Sequence, residues 1–92
     1  MRKFTNIKAV ALKYKAYEDN APKIVAKGKG DIAKKIIEKA KEFDIPLFQN
    51  EILVDSLLKV EGEEIPPKLY QVVAEVFAWL YSVEKKAELS RR

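Results

Sequence analysis

The amino-acid sequence predicts an α/β fold in which a small mixed β-sheet of three to four strands packs with three or four α-helices. Its 92 residues are 48% apolar and 35% charged, which is enough to bury one modest core. Alternating apolar positions early in the chain indicate strands, and apolar positions three or four residues apart farther on indicate helices. We therefore expect a single domain over residues 1–92, in which the charged segment 84–92 forms a frayed tail.

The first strand lies near the start of the chain. Val10, Leu12 and Tyr14 share one face there, and lysines and small alanines occupy the other face. Turn-forming residues gather at 18–22 and end with Pro22, so the chain is expected to reverse through an irregular loop. The first strand is therefore one arm of a hairpin.

The second arm of the hairpin is the segment 23–28, which resumes an extended pattern. Regular alternation places Ile24 and Ala26 on the face opposite Val25 and Lys27. The two arms are predicted to pair in antiparallel orientation.

An amphipathic helix follows, from Asp31 as its N-cap to Phe43, because its apolar positions recur every three or four residues. Ile45 and Pro46 end this helix, since proline restricts the residue before it and donates no backbone hydrogen bond. A short third strand is expected at 47–49. The order strand, helix, strand implies a right-handed crossover and parallel pairing with the second strand, which makes the predicted sheet mixed.

Two further helices complete the predicted fold. Asn50 caps a short helix over about residues 51–60, and Pro66 and Pro67 begin a third helix, where a missing backbone donor does no harm. The third helix carries a wide apolar stripe, which makes it the main cover of the sheet. The stripe contains Leu69, Val72, Val73, Val76, Phe77, Leu80 and Val83.

Composition excludes most enzyme mechanisms. Cysteine and histidine are both absent, which removes disulfides, thiolate nucleophiles, imidazole bases and the usual zinc ligands, and we expect no cofactor and no metal. No window approaches the roughly 18 apolar residues of a membrane helix, and the chain start lacks the apolar stretch of a secretory signal, so a soluble cytoplasmic protein is expected. Abundant Lys and Glu resemble the surface bias of heat-adapted proteins and predict a high melting temperature.

The net charge of +4 leaves a nucleic-acid partner open, because lysines that contact phosphates release counterions. The lysines of the first helix, however, are interleaved with Asp31, Glu38 and Glu42, which is typical of a solvated, salt-bridged face. Glycines and lysines at 27–31 precede a helix start but lack phosphate-loop spacing, so a simple helix cap is favoured. Core packing explains the aromatic residues better than base stacking, and a solvated turn explains the acidic loop 61–64 better than a metal site.

Three stretches of the sequence carry a resemblance: AVALKY, APKIVAKGKGDIAKKIIEKAKEFDIPLFQN and EIPPKLYQVVAEVFAWLY. Together they resemble the cytoplasmic domain of the FlhB/YscU switch proteins of type III secretion, over about residues 5–83. The resemblance implies a domain that helps switch a flagellar or injectisome exporter from early to late substrates, while a membrane domain anchors the export gate. The chain looks like a stand-alone homologue without that membrane domain.

The self-cleaving loop of this family is altered here. In the family, an asparagine side chain attacks its own carbonyl within an Asn-Pro-Thr-His loop just before the first strand. The matching positions hold Phe4, Thr5, Asn6 and Ile7, and pairing Asn6 with the family asparagine needs a deletion and leaves Ile7 where proline belongs. Cyclisation needs a strained backbone, which β-branched Ile7 restricts. We therefore expect no catalytic residue and an uncleaved chain.

The resemblance implies a non-catalytic protein-interaction module of the export apparatus, located in the cytoplasm and peripheral to the inner membrane through that apparatus. Its expected partners are a soluble export-gate domain, a full-length FlhB-type protein, and export substrates or chaperones, with no small-molecule substrate. The alternative is a small basic nucleic-acid-binding domain. The expected contact residues are Thr5, Asn6, Ile7, Lys8, Glu51 and Ile52.

Overall fold

The computed structural model describes residues 6–15, 18 and 21–90, with side chains as far as residue 86. The α/β class that the sequence predicts is confirmed. The elements are β1 (Lys8–Lys13), β2 (Lys23–Lys29), α1 (Asp31–Glu42), α2 (Glu51–Leu58) and α3 (Tyr70–Ser90), with a 3-10 turn at Pro67–Leu69 immediately before α3.

The sheet of the described residues has two antiparallel strands, so it is smaller than the predicted three to four strands and is not mixed. The prediction of a third strand at 47–49 is wrong. The outer edge of β2 meets the loop before α3 instead, because the Ile24 backbone N–H donates to the Glu63 carbonyl at 2.8 Å and Lys23 forms a bridge with Glu64. These groups occupy the start of the edge that a third strand needs.

A β-bulge gives the two faces of the hairpin different side chains. Ala11 lies opposite Ala26, whereas the next residue, Leu12, lies opposite Ile24, so Val25 is the extra residue of the bulge. Ile24 therefore shares the face of Leu12 and not the face of Ala26, contrary to the regular alternation predicted from the sequence. We call one side the small-residue face, made of Ala9, Ala11, Ala26 and Gly28. We call the other side the core face, made of Lys8, Val10, Leu12, Ile24, Lys27 and Lys29.

Helix α1 packs on the small-residue face. A Cβ atom on Gly28 would lie 2.3 Å from Cγ2 of Ile32, so this close approach of helix and strand requires glycine. Gly30, with φ 61, is the N-cap, and Asp31 is the first helical residue and not the cap that the sequence predicts. The Gly30 N–H donates to the Ile7 carbonyl at 2.9 Å, which ties the start of α1 to the residue before β1.

Helices α2 and α3 build the core on the other side of the hairpin. Asn50 caps α2 as predicted, because its Oδ1 accepts a hydrogen bond from the Leu53 backbone N–H at 3.0 Å. The buried cluster consists of Ile24, Leu53, Leu57, Ile65 and Val73. Partly buried side chains pack against it, among them Val10, Leu12, Val72, Val76 and Phe77. The apolar stripe predicted on the last helix thus contributes to the core.

Helix α3 continues to Ser90, so it includes most of the segment 84–92 for which the sequence predicts a frayed tail. Fraying of that helix end stays a prediction.

An aromatic contact joins the hairpin to α3. At the loop end of the hairpin, the ring of Tyr14 meets the ring of Phe77 edge-on, with centroids 5.6 Å apart. Within the described residues, no helix has the length and apolar character needed to cross a membrane.

Candidate protein-binding surfaces

The predicted contact residues lie around the start of β1 and the start of α2, apart from Thr5, which lies outside the described residues. Asn6 is exposed, and Ile7 is half-buried and held through its carbonyl by Gly30. Glu51 and Ile52 open α2, and the Ile52 side chain is 80% exposed. These positions remain predicted contact residues.

An ion pair links the two parts of this region. Lys8 Nζ donates to Asp55 Oδ1 at 2.8 Å, which joins β1 to α2. The hydrogen bond to Asp55 and its negative charge raise the pKa of Lys8, and the charge of Glu51 adds to this effect. The hydrogen bond from Lys8 lowers the pKa of Asp55. We call this region the N-terminal surface; its residues are Asn6, Ile7, Lys8, Glu51, Ile52 and Asp55.

Sequence reasoning missed Asp55. Its position four residues after Glu51 places both carboxylates on one side of α2, which is a visible signal. Its partner Lys8 is 47 residues away in the sequence, however, and no local pattern predicts that contact.

A second lysine contacts the other end of α2. Lys27 Nζ donates to the carbonyls of Val60 and, at 3.4 Å, Leu57. The Leu57 carbonyl lies in the last turn of α2 and Val60 follows shortly after the helix, where a positive charge is favourable because the helix dipole is negative at its C-terminal end. The bulge at Val25 makes this contact possible, because it puts Lys27 on the core face.

An apolar groove of about 270 Å³ opens between the hairpin end and α3. Its rim includes Tyr14 and Tyr70, which are 41% and 49% exposed, and its floor includes the buried Val73. Tyrosine suits such a position, because its ring is apolar while its hydroxyl stays in water. The complete lining is Tyr14, Ala21, Pro22, Ile65, Tyr70, Val73, Ala74 and Phe77. The sequence pattern predicts these aromatic residues in the core, and it does not predict the groove.

Several other large apolar side chains are also exposed. Phe43 is 65% and Ile45 is 56% exposed, so the prediction that aromatic residues serve mainly in the core is wrong for Phe43. Phe48 meets the half-buried Trp79 edge-on, with ring centroids 5.0 Å apart. The partial exposure of Trp79 agrees with its position off the apolar stripe of α3.

Acidic side chains that could bind a metal ion are dispersed over the described residues. Within them, no group of three or more acidic side chains gathers in a geometry that suits a metal ion. Among the described residues, Lys8 and Asp55 form an ion pair between two elements, and Lys15–Glu18 and Lys39–Glu42 are local ion pairs three residues apart.

The fold has a solved counterpart. It superimposes on the crystal structure of the PscU C-terminal domain with a TM-score of 0.75 and 30% sequence identity, covering 80% of this chain and 96% of that one. The chain therefore has the fold of the PscU C-terminal domain. Its residues 6–80 match the model of the FlhB HrpN YscU SpaS family, and the chain belongs to this family.

Curated relatives differ in length. The chain is 48% identical over 80 residues to the flagellar biosynthetic protein FlhB of Aquifex aeolicus, and the match spans 85% of this chain but 23% of that protein. It is 39% identical over 82 residues to YlqH of Bacillus subtilis, and the match covers 88% of each protein. The chain thus corresponds to under a quarter of an FlhB protein and to most of YlqH.

Proposed function

We propose that this chain is a non-catalytic protein-interaction module of the flagellar or type III export apparatus, which acts in the cytoplasm and does not cleave itself. The apolar groove is the observation that carries this proposal. It lies on a domain whose family serves protein export, and it offers apolar side chains and tyrosine hydroxyls rather than a cluster of reactive groups.

The occupant that fits the groove is a short segment of an exported protein that carries a few large apolar side chains. The volume of about 270 Å³ lies just below the range of ligand-sized cavities, roughly 300–1,000 Å³, so it suits a few side chains and not a whole helix. The other expected partners, namely the soluble export-gate domain, a full-length FlhB-type protein and chaperones, would meet the N-terminal surface, where Ile52 is exposed.

A groove substitution tests the proposal. Ala74 lines the groove and is exposed, so Ala74→Asp adds a charge to the binding surface without entering the core. Ala78 is also exposed on α3 and is not part of the groove lining, so Ala78→Asp is the matched control. We expect binding of export substrates by purified protein to weaken about tenfold or more in Ala74→Asp and to change little in Ala78→Asp. Equal binding by both variants would contradict the groove assignment.

Local chemistry around Asn6 supports the uncleaved state. Ile7 follows Asn6, so the Asn-Pro pair of the family loop is absent. The Ile7 carbonyl accepts the Gly30 N–H at 2.9 Å, and this hydrogen bond holds the backbone beside Asn6 in one arrangement. Purified protein is expected to give one mass under denaturing conditions. Two fragments that part after Asn6 would overturn the proposal of an uncleaved chain.

A further inference from the structure

A depression of about 460 Å³ lies between the end of β2 and the last turn of α2. We call it the lysine pocket; its lining is Lys27, Gly28, Lys29, Asp55, Leu58 and Lys59. It is separate from the apolar groove, since the two share no lining residue. Lysines dominate its charge, and Leu58 gives it one apolar wall.

Two of the lysines around this pocket are engaged in the fold. Lys8, which lies opposite Lys29 in the hairpin register, pairs with Asp55 at 2.8 Å and balances its charge. Lys27 donates to the carbonyls at the C-terminal end of α2. Because the one carboxylate in the lining already has a partner, the remaining lysines give the pocket a net positive charge.

The remaining two lysines are Lys29 and Lys59. Both are exposed, and within the described part of the chain neither ammonium group makes a hydrogen bond or an ion pair. They come from different elements, a strand and the end of a helix, and both line the same depression. The positive charges of Lys29 and Lys59 also help to lower the pKa of Asp55, after the larger effect of the hydrogen bond from Lys8, so both ammonium groups lie within electrostatic reach of Asp55.

We propose that the lysine pocket binds an acidic segment of a partner protein, in which two carboxylates pair with Lys29 and Lys59 and an apolar side chain rests on Leu58. The inference rests on the proposed function as a protein-interaction module, and it adds the chemistry of one partner. Charge complementarity is the argument for this occupant, because paired ammonium groups next to an apolar wall match carboxylates next to an apolar side chain.

A protein segment fits this pocket better than a nucleic acid. A phosphate backbone needs a continuous track of positive charge, whereas the carboxylate of Asp55 is part of the lining of this pocket. The lysines of α1 do not extend such a track, since they are interleaved with Asp31, Glu38 and Glu42. One side of the pocket is also apolar, which suits a peptide side chain.

The test uses fluorescein-labelled peptides and the purified chain. The probe is Glu-Glu-Leu-Glu-Glu, and the neutral control probe is Gln-Gln-Leu-Gln-Gln. Fluorescence anisotropy at low ionic strength is expected to show binding of the acidic probe and not of the neutral one. The variant Lys29→Ala/Lys59→Ala is expected to bind the acidic probe about tenfold more weakly.

A matched variant separates the pocket from general positive charge. Lys35 and Lys41 are exposed on α1, and Lys35→Ala/Lys41→Ala removes the same two charges from another element. We expect this variant to bind the acidic probe within about twofold of the unsubstituted chain. Circular dichroism of both variants checks that the fold is kept. An equal loss in the two variants would overturn the inference, and so would failure of the unsubstituted chain to bind the acidic probe.

Further outcomes distinguish this inference from the proposed function. The same assay is made with a labelled single-stranded DNA of similar charge. The choice of a protein partner would be overturned if this DNA binds more tightly than the peptide and loses affinity in the Lys29→Ala/Lys59→Ala variant. Binding of export substrates through the apolar groove without any binding of the acidic probe would refute the lysine pocket and leave the proposed function intact. If the chain binds the acidic probe but binds no protein of the export apparatus, the proposed function is refuted and the lysine pocket is kept.

Discussion

The small-residue face and the core face of the hairpin differ in how closely they are covered and in what they leave exposed. The small-residue face carries alanines and a glycine and is covered by α1 at a distance that a single added Cβ would violate. The core face changes along its length. Leu12 and Ile24 pack in the core at one end, whereas Lys27 and Lys29 reach the end of α2 and the lysine pocket at the other.

The difference shows how one short strand serves both packing and binding. The bulge at Val25 places the buried Ile24 on the same face as Lys27 and Lys29, which regular alternation would separate. Helix α1 packs closely on the small-residue face and so holds β2 in place. The lysines of the core face are thus carried by a rigid element, which is the arrangement that favours specific binding.

The largest expected effect comes from breaking the small-residue face. Gly28→Ala brings a methyl group to 2.3 Å from Cγ2 and 2.7 Å from Cβ of Ile32, so α1 must move away from the strand. We expect the free energy of unfolding to fall by about 2 kcal/mol. Urea denaturation followed by circular dichroism measures this loss.

A second substitution sharpens the test. Ile32 is 58% exposed, so Ile32→Ala alone is expected to change stability by less than about 1 kcal/mol. Because Ile32→Ala removes the Cγ2 atom that the new methyl group meets but keeps the Cβ atom at 2.7 Å, the double variant should regain only part of the lost stability. Simple addition of the two single effects would show that the cost at Gly28 has another origin.

An intermediate effect on stability is expected at the end of the core face that carries Lys27 and Lys29, which we call its charged end. Lys27→Met keeps most of the side-chain length but removes the ammonium group that contacts the Leu57 and Val60 carbonyls. We expect a loss of about 1 kcal/mol in the free energy of unfolding, the size typical of a cation at a helix C-terminus. Lys29→Met is the matched control on the same face and should change stability by less than about 0.5 kcal/mol. A similar loss in both variants would contradict the assigned role of Lys27.

Much of the fold follows from local sequence patterns. The hairpin, the amphipathic α1 and the Asn50 cap of α2 were all predicted, because each depends on residues that are close in the sequence. The third strand at 47–49 was predicted and is absent, because a strand needs a sheet edge, and the loop around Glu63 occupies the start of that edge. The bulge was also missed, since the segment 23–28 reads as regular alternation and only its pairing with β1 reveals Val25 as an extra residue.

The binding surfaces were less predictable than the fold. The expected contacts at Thr5 to Lys8 and at Glu51 and Ile52 came from local exposure and a family resemblance, and they remain predictions. The apolar groove and the lysine pocket draw their linings from separated elements, such as Tyr14 with Val73 and Lys29 with Lys59. Each of these residues has an ordinary local explanation, so only the tertiary structure brings them to notice.

The smallest expected effect concerns the ion pair between Lys8 and Asp55, whose side chains are 33% and 43% exposed and therefore partly screened by solvent. The folded-state pKa of Asp55 is lowered, so the pair contributes its stability above about pH 4, the ordinary range of an aspartate, and loses it as pH falls through the lower folded value. The pKa of Lys8 is raised, so its contribution is complete below about pH 10 and is lost as pH rises through the higher folded value.

Thermal melts of Asp55→Asn measure this effect. Relative to the unsubstituted chain, the variant is expected to be less stable near neutral pH, and the difference should narrow as the pH falls below the ordinary range of an aspartate, about 4, and Asp55 becomes protonated. Glu42→Gln is the control, because Glu42 pairs with Lys39 at 3.4 Å within α1 and joins no two elements. A gap between Asp55→Asn and the unsubstituted chain that stays constant from neutral to acidic pH would show that the aspartate acts through packing. In that case the charged end of the core face would be held by Lys27 alone, since the contact from Lys8 to α2 would contribute no electrostatic stability.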